Sequence, residues 1–193
     1  VVVTARRVEE AAQEVPIPLS VVDGKLAENT GAFNVNRLKE LIPTVQFYST
    51  NPRNSAINIR GLGAPFGLTN DGLEPGVGLY IDGVFYARPA SATLDFLDVE
   101  RIEVLRGPQG TLYGRNAVGG AVNLISRPLT NDFEASADFT AGNFDELRAT
   151  ARASGPLKPD RVTGSIAFTR GIREGYVHDL EHPDHPLGGD DVT

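Results

Sequence analysis

Residues 99–128, VERIEVLRGPQGTLYGRNAVGGAVNLISRP, constrain the fold of this chain more than any other stretch. They read as a strand, a glycine-punctuated turn, one short helical turn and a second strand. Val99, Ile102, Val104 and Leu105 form the first apolar run, and Ala121, Val122, Leu124 and Ile125 the second. Between them lie Gly107, Gly110, Gly114, Gly119 and Gly120, which mark positive-φ positions or close approach of backbone to something bulky. Arg106 shares strand parity with Ile102 and Val104, so a cation points toward an apolar face. An unpaired buried charge costs several kcal/mol, and Glu103 has the opposite parity, so the partner of Arg106 is expected outside this strand. No Gly-Lys-Ser/Thr follows the glycines, and Gly61-Leu62-Gly63 lacks the spacing of a dinucleotide fingerprint, so a phosphate-binding loop is disfavoured. A soluble α+β domain with a glycine-rich turn stays open on these residues alone.

Composition narrows the field. The length of 193 residues suffices for one domain, or one domain with an appendage. A formal net charge of -7 argues against a nucleic-acid surface. Cysteine is absent, which removes disulfides, thiolate metal sites and a cysteine nucleophile. Methionine is absent as well, even at position 1, so the chain is expected to begin after processing or inside something longer. No signal peptide is visible, and nothing approaches the run of about 18 apolar residues that a spanning helix needs. Soluble placement and β-type membrane insertion both survive.

Val1, Val2, Val3, Thr4 and Ala5 form a β-branched run followed at once by Arg6, Arg7, Glu9 and Glu10. Such a run favours an extended strand and has no evident local partner; it could be the first strand of the domain. Pro16 and Pro18 make the first half of 15–22 an extended segment or sheet edge. Asn34 is placed to cap a short helix with Val35, Leu38, Leu41 and Ile42 on one face and Pro43 ending it. Residues 45–48 read as a short strand and 49–56 as a polar loop. In 56–60, alternation puts Ile57 and Ile59 on one face and Asn58 and Arg60 on the other. Residues 61–76 are expected to form a long loop. Residues 77–81 read as a strand ending in the tight turn Asp82-Gly83. Residues 85–92, FYARPASA, are expected to expose Phe85, Tyr86 and Arg88 in a loop as a contact surface.

After Pro128 the pattern becomes strictly two-residue. Phe133, Ala135, Ala137, Phe139 and Ala141 oppose Glu134, Ser136, Asp138 and Thr140. Leu147, Ala149, Ala151 and Ala153 oppose Arg148, Thr150, Arg152 and Ser154. Val162, Gly164, Ile166 and Phe168 oppose Thr163, Ser165, Ala167 and Thr169. Segments of roughly 10 residues with this alternation suit a transmembrane β-barrel, one face in lipid and one toward a polar lumen; an amphipathic sheet on a soluble core has the same period. Gly142-Asn143 and 155–160 (GPLKPD) read as the connecting turns. Residues 171–193 are polar and loop-like and hold all three histidines, His178, His182 and His185. Imidazole and carboxylate could ligate zinc or iron, yet the spacing matches no metal motif and none is expected. No serine sits in a nucleophile elbow, and Asp82, Glu100 and Glu103 each have a structural explanation. An enzyme is therefore not expected, and neither is a cofactor.

Residues 79–84 (LYIDGV) and 99–128 closely resemble the plug domain of TonB-dependent outer-membrane receptors. The resemblance implies an α+β plug domain, a small mixed sheet with short helices. The first antiparallel strands of a truncated 22-stranded transmembrane β-barrel would follow it, about 22 strands being the size class with a plugged lumen. The boundaries expected are 1–10 for a TonB box and linker, 11–129 for the plug and 130–193 for about three barrel strands. Under this resemblance Val1, Val2, Val3, Thr4 and Ala5 are the TonB box, which leaves the plug and adds as a strand to the TonB protein, a mode that suits a β-branched run. Arg60 and Arg106 correspond to plug arginines that pair with barrel-wall glutamates. Substrate contacts come from apical loops, here Arg53, Phe66, Phe85, Tyr86 and Arg88. The implied function is energy-coupled uptake of a scarce ligand such as a ferric siderophore. The implied partners are TonB with its inner-membrane energising complex, a small-molecule ligand and outer-membrane lipid, with no nucleic acid; the implied location is the outer membrane of a Gram-negative bacterium.

Three strands cannot close a barrel, and open sheet edges are excluded from hydrocarbon, so a piece of a longer receptor is expected, prone alone to aggregate through its 135–151 hairpin. A periplasmic module that binds ligand or TonB without transport is the alternative; it predicts a soluble fold ending near Pro128. A nucleotide-binding enzyme would instead show phosphate protection of 107–120.

Overall fold

The computed structural model describes residues 1–51, 54–64, 74–93, 95–175 and 189–192. Two compact units divide the chain, Val1–Arg127 and Pro128–Thr193. In the first, β1 (Val2–Val3), β2 (Glu10–Ala11) and β3 (Leu19–Asp23) precede α1 (Gly24–Thr30) and α2 (Val35–Leu41). Then come β4 (Val45–Ser49), β5 (Ser55–Ile59), β6 (Leu62–Gly63), β7 (Val77–Ile81) and β8 (Val84–Tyr86), with a 3-10 turn at Pro89–Thr93. The stretch singled out above forms β9 (Val99–Arg106), α3 (Gly110–Tyr113) and β10 (Gly120–Ser126), in the order expected.

The central sheet runs β3-β9-β10-β7-β8, mixed because β10 is antiparallel to β9 and parallel to β7. Strand parity gives it two covered faces. Val22, Val77, Leu79, Ile102, Val104, Val122 and Leu124 point into a core closed by Ala27, Val35, Leu38, Ile42, Val45, Ile57 and Ile59. Tyr80, Leu105 and Ala121 point the other way, into a second core completed by Val3, Ala5, Val15, Tyr113 and Ala117.

Asn34 caps α2 as expected, its side chain accepting from Arg37 N at 3.2 Å while its amide donates to Asp95 Oδ1. Asn34→Ala is expected to cost about 1 kcal/mol, read as a lower urea midpoint at unchanged slope. The preceding helix, α1, had no place in the apolar periodicity. Its signals were its ends: Asp23 accepts from Lys25 N, and Gly31 at φ 70 closes it.

Several local expectations are corrected. β5 is buried on both faces, so Asn58 is interior; it accepts from Ala64 N at 2.7 Å and holds the following turn. The loop expected at 61–76 opens with β6, which pairs with β5, and residues 65–73 lie outside the described residues. Phe85 and Tyr86 are not in an exposed loop but on β8, half-buried and on opposite faces. Phe85 joins the second core and Tyr86 the first, because β8 pairs with β7 and inherits its parity.

The second unit is one antiparallel sheet of β11 (Glu134–Ala141), β12 (Leu147–Lys158), β13 (Val162–Arg173) and β14 (Asp190–Val192), in that order. Among the described residues this sheet has four strands, the last of them three residues long, where about three were expected. The turn expected at 155–160 is shorter, because β12 runs on through Lys158. Pro156 is tolerated there since the β11 ladder ends at the Glu134–Ser154 pair, leaving one edge of that stretch unpaired. The register stacks Ala137, Ala151 and Phe168 on one face and Asp138, Thr150 and Thr169 on the other. The apolar face is open: Phe139, Ile166 and Phe168 are 83%, 73% and 53% exposed. No helix among the described residues is long and apolar enough to cross a membrane, which says nothing of strands.

Candidate functional site

The N-terminal run does not stand away from the unit. Val2 and Val3 pair with Ala11 and Glu10, so the run does have a local partner. Arg7, at φ 62, reverses the chain, its N–H donating to Thr4 O. Positive φ at arginine carries no sequence signature, which is why this hairpin was not foreseen.

Val3 and Ala5 are fully buried in the second core, and Thr4 between them meets a charge. Glu103 on β9, itself fully buried, accepts from Thr4 N at 2.8 Å and from Thr4 Oγ1 at 3.4 Å. Arg101 donates from Nε to the same carboxylate at 2.8 Å, from Nη2 to Thr4 Oγ1 at 3.1 Å, and from Nη1 to Glu100 at 2.6 Å. Asn123 on β10 donates to the other Glu103 oxygen at 3.5 Å. The partner of Glu103 therefore lies on its own strand and in the N-terminal run 99 residues away, a separation no local pattern encodes.

Tyrosines hold the rest of the hairpin. Tyr113 donates from its hydroxyl to Ala5 O at 2.9 Å, and Tyr80 donates to Tyr113 O at 2.7 Å. Phe85, Tyr80 and Tyr113 pack in succession, the first pair tilted and the second edge-on, with centroids 5.4 and 4.9 Å apart. Arg7 lies over the Tyr113 ring at 5.5 Å and donates to Leu112 O. Burial first, and the Glu103 charge second, push the Tyr113 phenol up to about 12; burial likewise raises Tyr80. Both hydroxyls keep the protons they donate at neutral pH.

The two arginines each stand at the end of a strand. Arg60 follows β5 at φ 54 and is exposed. Arg106 ends β9 half-buried, donating from Nη2 to Leu19 O at 3.3 Å, with its Nε buried and without an acceptor. Among the described residues neither side chain has a carboxylate in ion-pair reach. Glycines pack closely on the turn after Arg60: a Cβ on Gly119 would lie 2.8 Å from Leu62 O, and one on Gly76 2.7 Å from Gly63 O. Backbone contact at that distance leaves no room for a side chain, which explains part of the glycine run.

Of the residues expected to touch substrate, Arg88 is exposed beyond β8, and Phe85 and Tyr86 pack as described. Arg53 and Phe66 lie outside the described residues, as do His178, His182 and His185. No group of three His, Asp or Glu side chains able to hold a metal occurs among the described residues.

In the second unit, Arg152 reaches Glu134 at 3.5 Å on the polar face, and Thr150 and Thr169 hydroxyls meet across β12 and β13 at 3.2 Å. Arg170 departs from the alternation: its register with Ala149 and Phe139 puts it on the apolar face, near the end of β13.

Comparison with known proteins agrees with this architecture. The chain is 28% identical to the pesticin receptor of Yersinia pestis over 191 residues, 98% of this chain and 28% of that protein. It is 28% identical to the vitamin B12 transporter BtuB of Vibrio vulnificus over 183 residues, 91% of this chain and 28% of the relative. The solved structure of the ferric yersiniabactin uptake receptor FyuA from Yersinia pestis superposes with a TM-score of 0.81 at 27% identity, covering 93% of this chain and 28% of that one. This chain thus spans little more than a quarter of the length of these relatives, which are receptors and transporters rather than enzymes. With the TonB-dependent Receptor Plug Domain model matching residues 11–121, and with a two-faced mixed sheet leading into open amphipathic strands, the chain belongs to the plug-domain family of TonB-dependent receptors of the Gram-negative outer membrane.

Proposed function

We propose that the protein carrying this chain takes up a scarce ligand, with a ferric siderophore as the ligand class, by energy-coupled transport across the outer membrane. The observation that carries the transport reading is the open apolar face of the β11–β13 sheet immediately after a plug-type sheet. Phe139, Ile166 and Phe168 on one side and Thr150, Arg152 and Thr169 on the other fit a wall with lipid outside and a polar lumen inside. A periplasmic module without transport has no use for such a face. The siderophore class is supported by the FyuA likeness over most of the chain.

In this reading Val1, Val2, Val3, Thr4 and Ala5 add as a strand to TonB, whose inner-membrane complex supplies the energy. Wall glutamates accept from Arg60 and from the orphaned Nε of Arg106. Arg53, Phe66, Phe85, Tyr86 and Arg88 remain the proposed ligand-contacting set, with Phe85 and Tyr86 acting from a strand rather than a loop. The plug comprises residues 11–129, and the wall begins at 130.

Val3→Pro removes a strand N–H from the partner-binding run. It is expected to abolish uptake of a radiolabelled ferric chelate while leaving cell-surface binding of the chelate within about twofold. Equal loss of binding and uptake, or intact uptake, would overturn the assignment. Cells whose sole iron source is a panel of ferric chelates, with cobalamin uptake as the contrasting arm, discriminate the ligand class.

A further inference from the structure

We propose that the apolar face of β11–β13 carries, at its extracellular end, a binding site for a phosphorylated glycolipid with Arg170 as the phosphate ligand; the site rests on reading this sheet as lipid-facing wall. Over the paired stretches 135–141, 147–153 and 164–172, Arg170 is the single charged residue whose register puts it on that face. It is exposed there, on a groove of about 390 Å³. Phe139, Ala149 and Arg170 form one row across the three strands, and Ala141, Leu147 and Ile172 the next. The two alanines make the floor, and the four larger side chains stand around it. A groove of this kind takes an acyl chain, and a guanidinium at its margin offers paired N–H donors to phosphate oxygens.

The lengths of the connections identify the leaflet. β12 and β13 are joined by residues 159–161, and β13 and β14 by residues 174–189. Outer-membrane barrels turn briefly on the periplasmic side and carry their longer loops outside. Arg170, close to the end of β13 at Arg173, thus belongs to the extracellular end. On a strand rising about 3.3 Å per residue and tilted about 40°, it stands about 20 Å beyond Val162 along the membrane normal, near the rim of an apolar band about 25 Å tall. Headgroups begin at that height, and in a Gram-negative outer membrane those of the outer leaflet are phosphorylated sugars. Any long cation could snorkel to water from here. An arginine set beside an acyl-sized groove matches both halves of such a lipid at once.

The test is photocrosslinking in intact cells that express the full-length protein, with p-benzoylphenylalanine in place of Phe139 or, at the opposite end of the sheet, of Val162. The Phe139 probe is expected to capture the phosphorylated glycolipid and the Val162 probe to capture phospholipid. With the Phe139 probe in place, Arg170→Gln should lower glycolipid capture about fivefold and Arg170→Lys about twofold, because lysine keeps the charge but loses the paired donors. Folded protein, read from the heat-modifiable gel shift, should be unchanged in both. A second arm needs no substitution at Arg170: purified full-length protein with the Phe139 probe is placed in phosphatidylethanolamine vesicles containing lipid A or dephosphorylated lipid A. Capture should be strong with the first and lost with the second. Equal capture of the two forms, or equal capture with Arg170 and with Arg170→Gln, overturns the phosphate site and leaves the wall standing. Glycolipid captured from Val162 rather than Phe139 overturns the leaflet. No lipid captured from either position removes the wall reading and the site together.

Discussion

Gly120→Val is expected to destabilise the native plug by several kcal/mol. Gly120 opens β10 at φ +145, a conformation that L side chains rarely adopt, and a Cβ there would sit 2.2 Å from Leu105 O and 2.9 Å from Ile59 Cδ1. Leu105 O belongs to the β9 backbone, which is locked in register with β3 and β10, so it cannot retreat without breaking both ladders. Backbone strain and overpacking each cost about 1–3 kcal/mol. Together, about 4 kcal/mol is a large part of the roughly 5–15 kcal/mol that holds a domain folded. Amide hydrogen exchange across β9 and β10 in the full-length protein should accelerate about 10³-fold, since each 1.4 kcal/mol is a decade. Gly110→Ala is the control: its Cβ would meet nothing within 4 Å and its φ is ordinary, so exchange should stay within about threefold. Equal protection in Gly120→Val and Gly110→Ala would refute the close-approach account.

Ala151→Arg is expected to block assembly of the wall, whereas Thr150→Arg, one residue away, is tolerated. Ala151 lies mid-strand between Ala137 and Phe168 on the open apolar face, and Thr150 lies between Asp138 and Thr169 on the polar one. Arginine on the lipid face at the bilayer midplane costs about 2–4 kcal/mol, and the lumen face carries no such penalty. The contrast is read from the heat-modifiable gel shift of outer-membrane fractions, where folded barrel should fall at least tenfold for Ala151→Arg only. Equal yields from the two variants would mean that this face does not meet lipid.

These two expectations differ in origin. The face containing Ala151 was legible from alternation, because side chains of a strand point to opposite sides with period two and a slip would invert every one of them. The Asn34 cap, the Asp82-Gly83 turn and the strand–turn–strand of 99–128 were legible for the same reason: each is a relation between residues a few positions apart. The reading of 85–92 as an exposed loop failed because β8 is only three residues long, and its burial depends on pairing with β7 rather than on its own pattern. The reading of 155–160 as a turn failed at Gly155 and Pro156 because turn chemistry in the sequence was overridden by the longer ladder of β12 with β13. Arg106 was an instructive intermediate. Parity located it on an apolar face in need of a partner, and the structure leaves its Nε buried without an acceptor among the described residues.

Sequence alone determined the local alphabet of this protein: which strands alternate, where the second helix is capped, and the family its longest motif resembles; which glycines of the run are irreplaceable was decided by the backbone packed against them. Only the tertiary structure decided where the N-terminal run lies and what Glu103 is for. Thr4 and Glu103 stand 99 residues apart, and whether a carboxylate is solvated or sealed depends on what the rest of the chain folds over it.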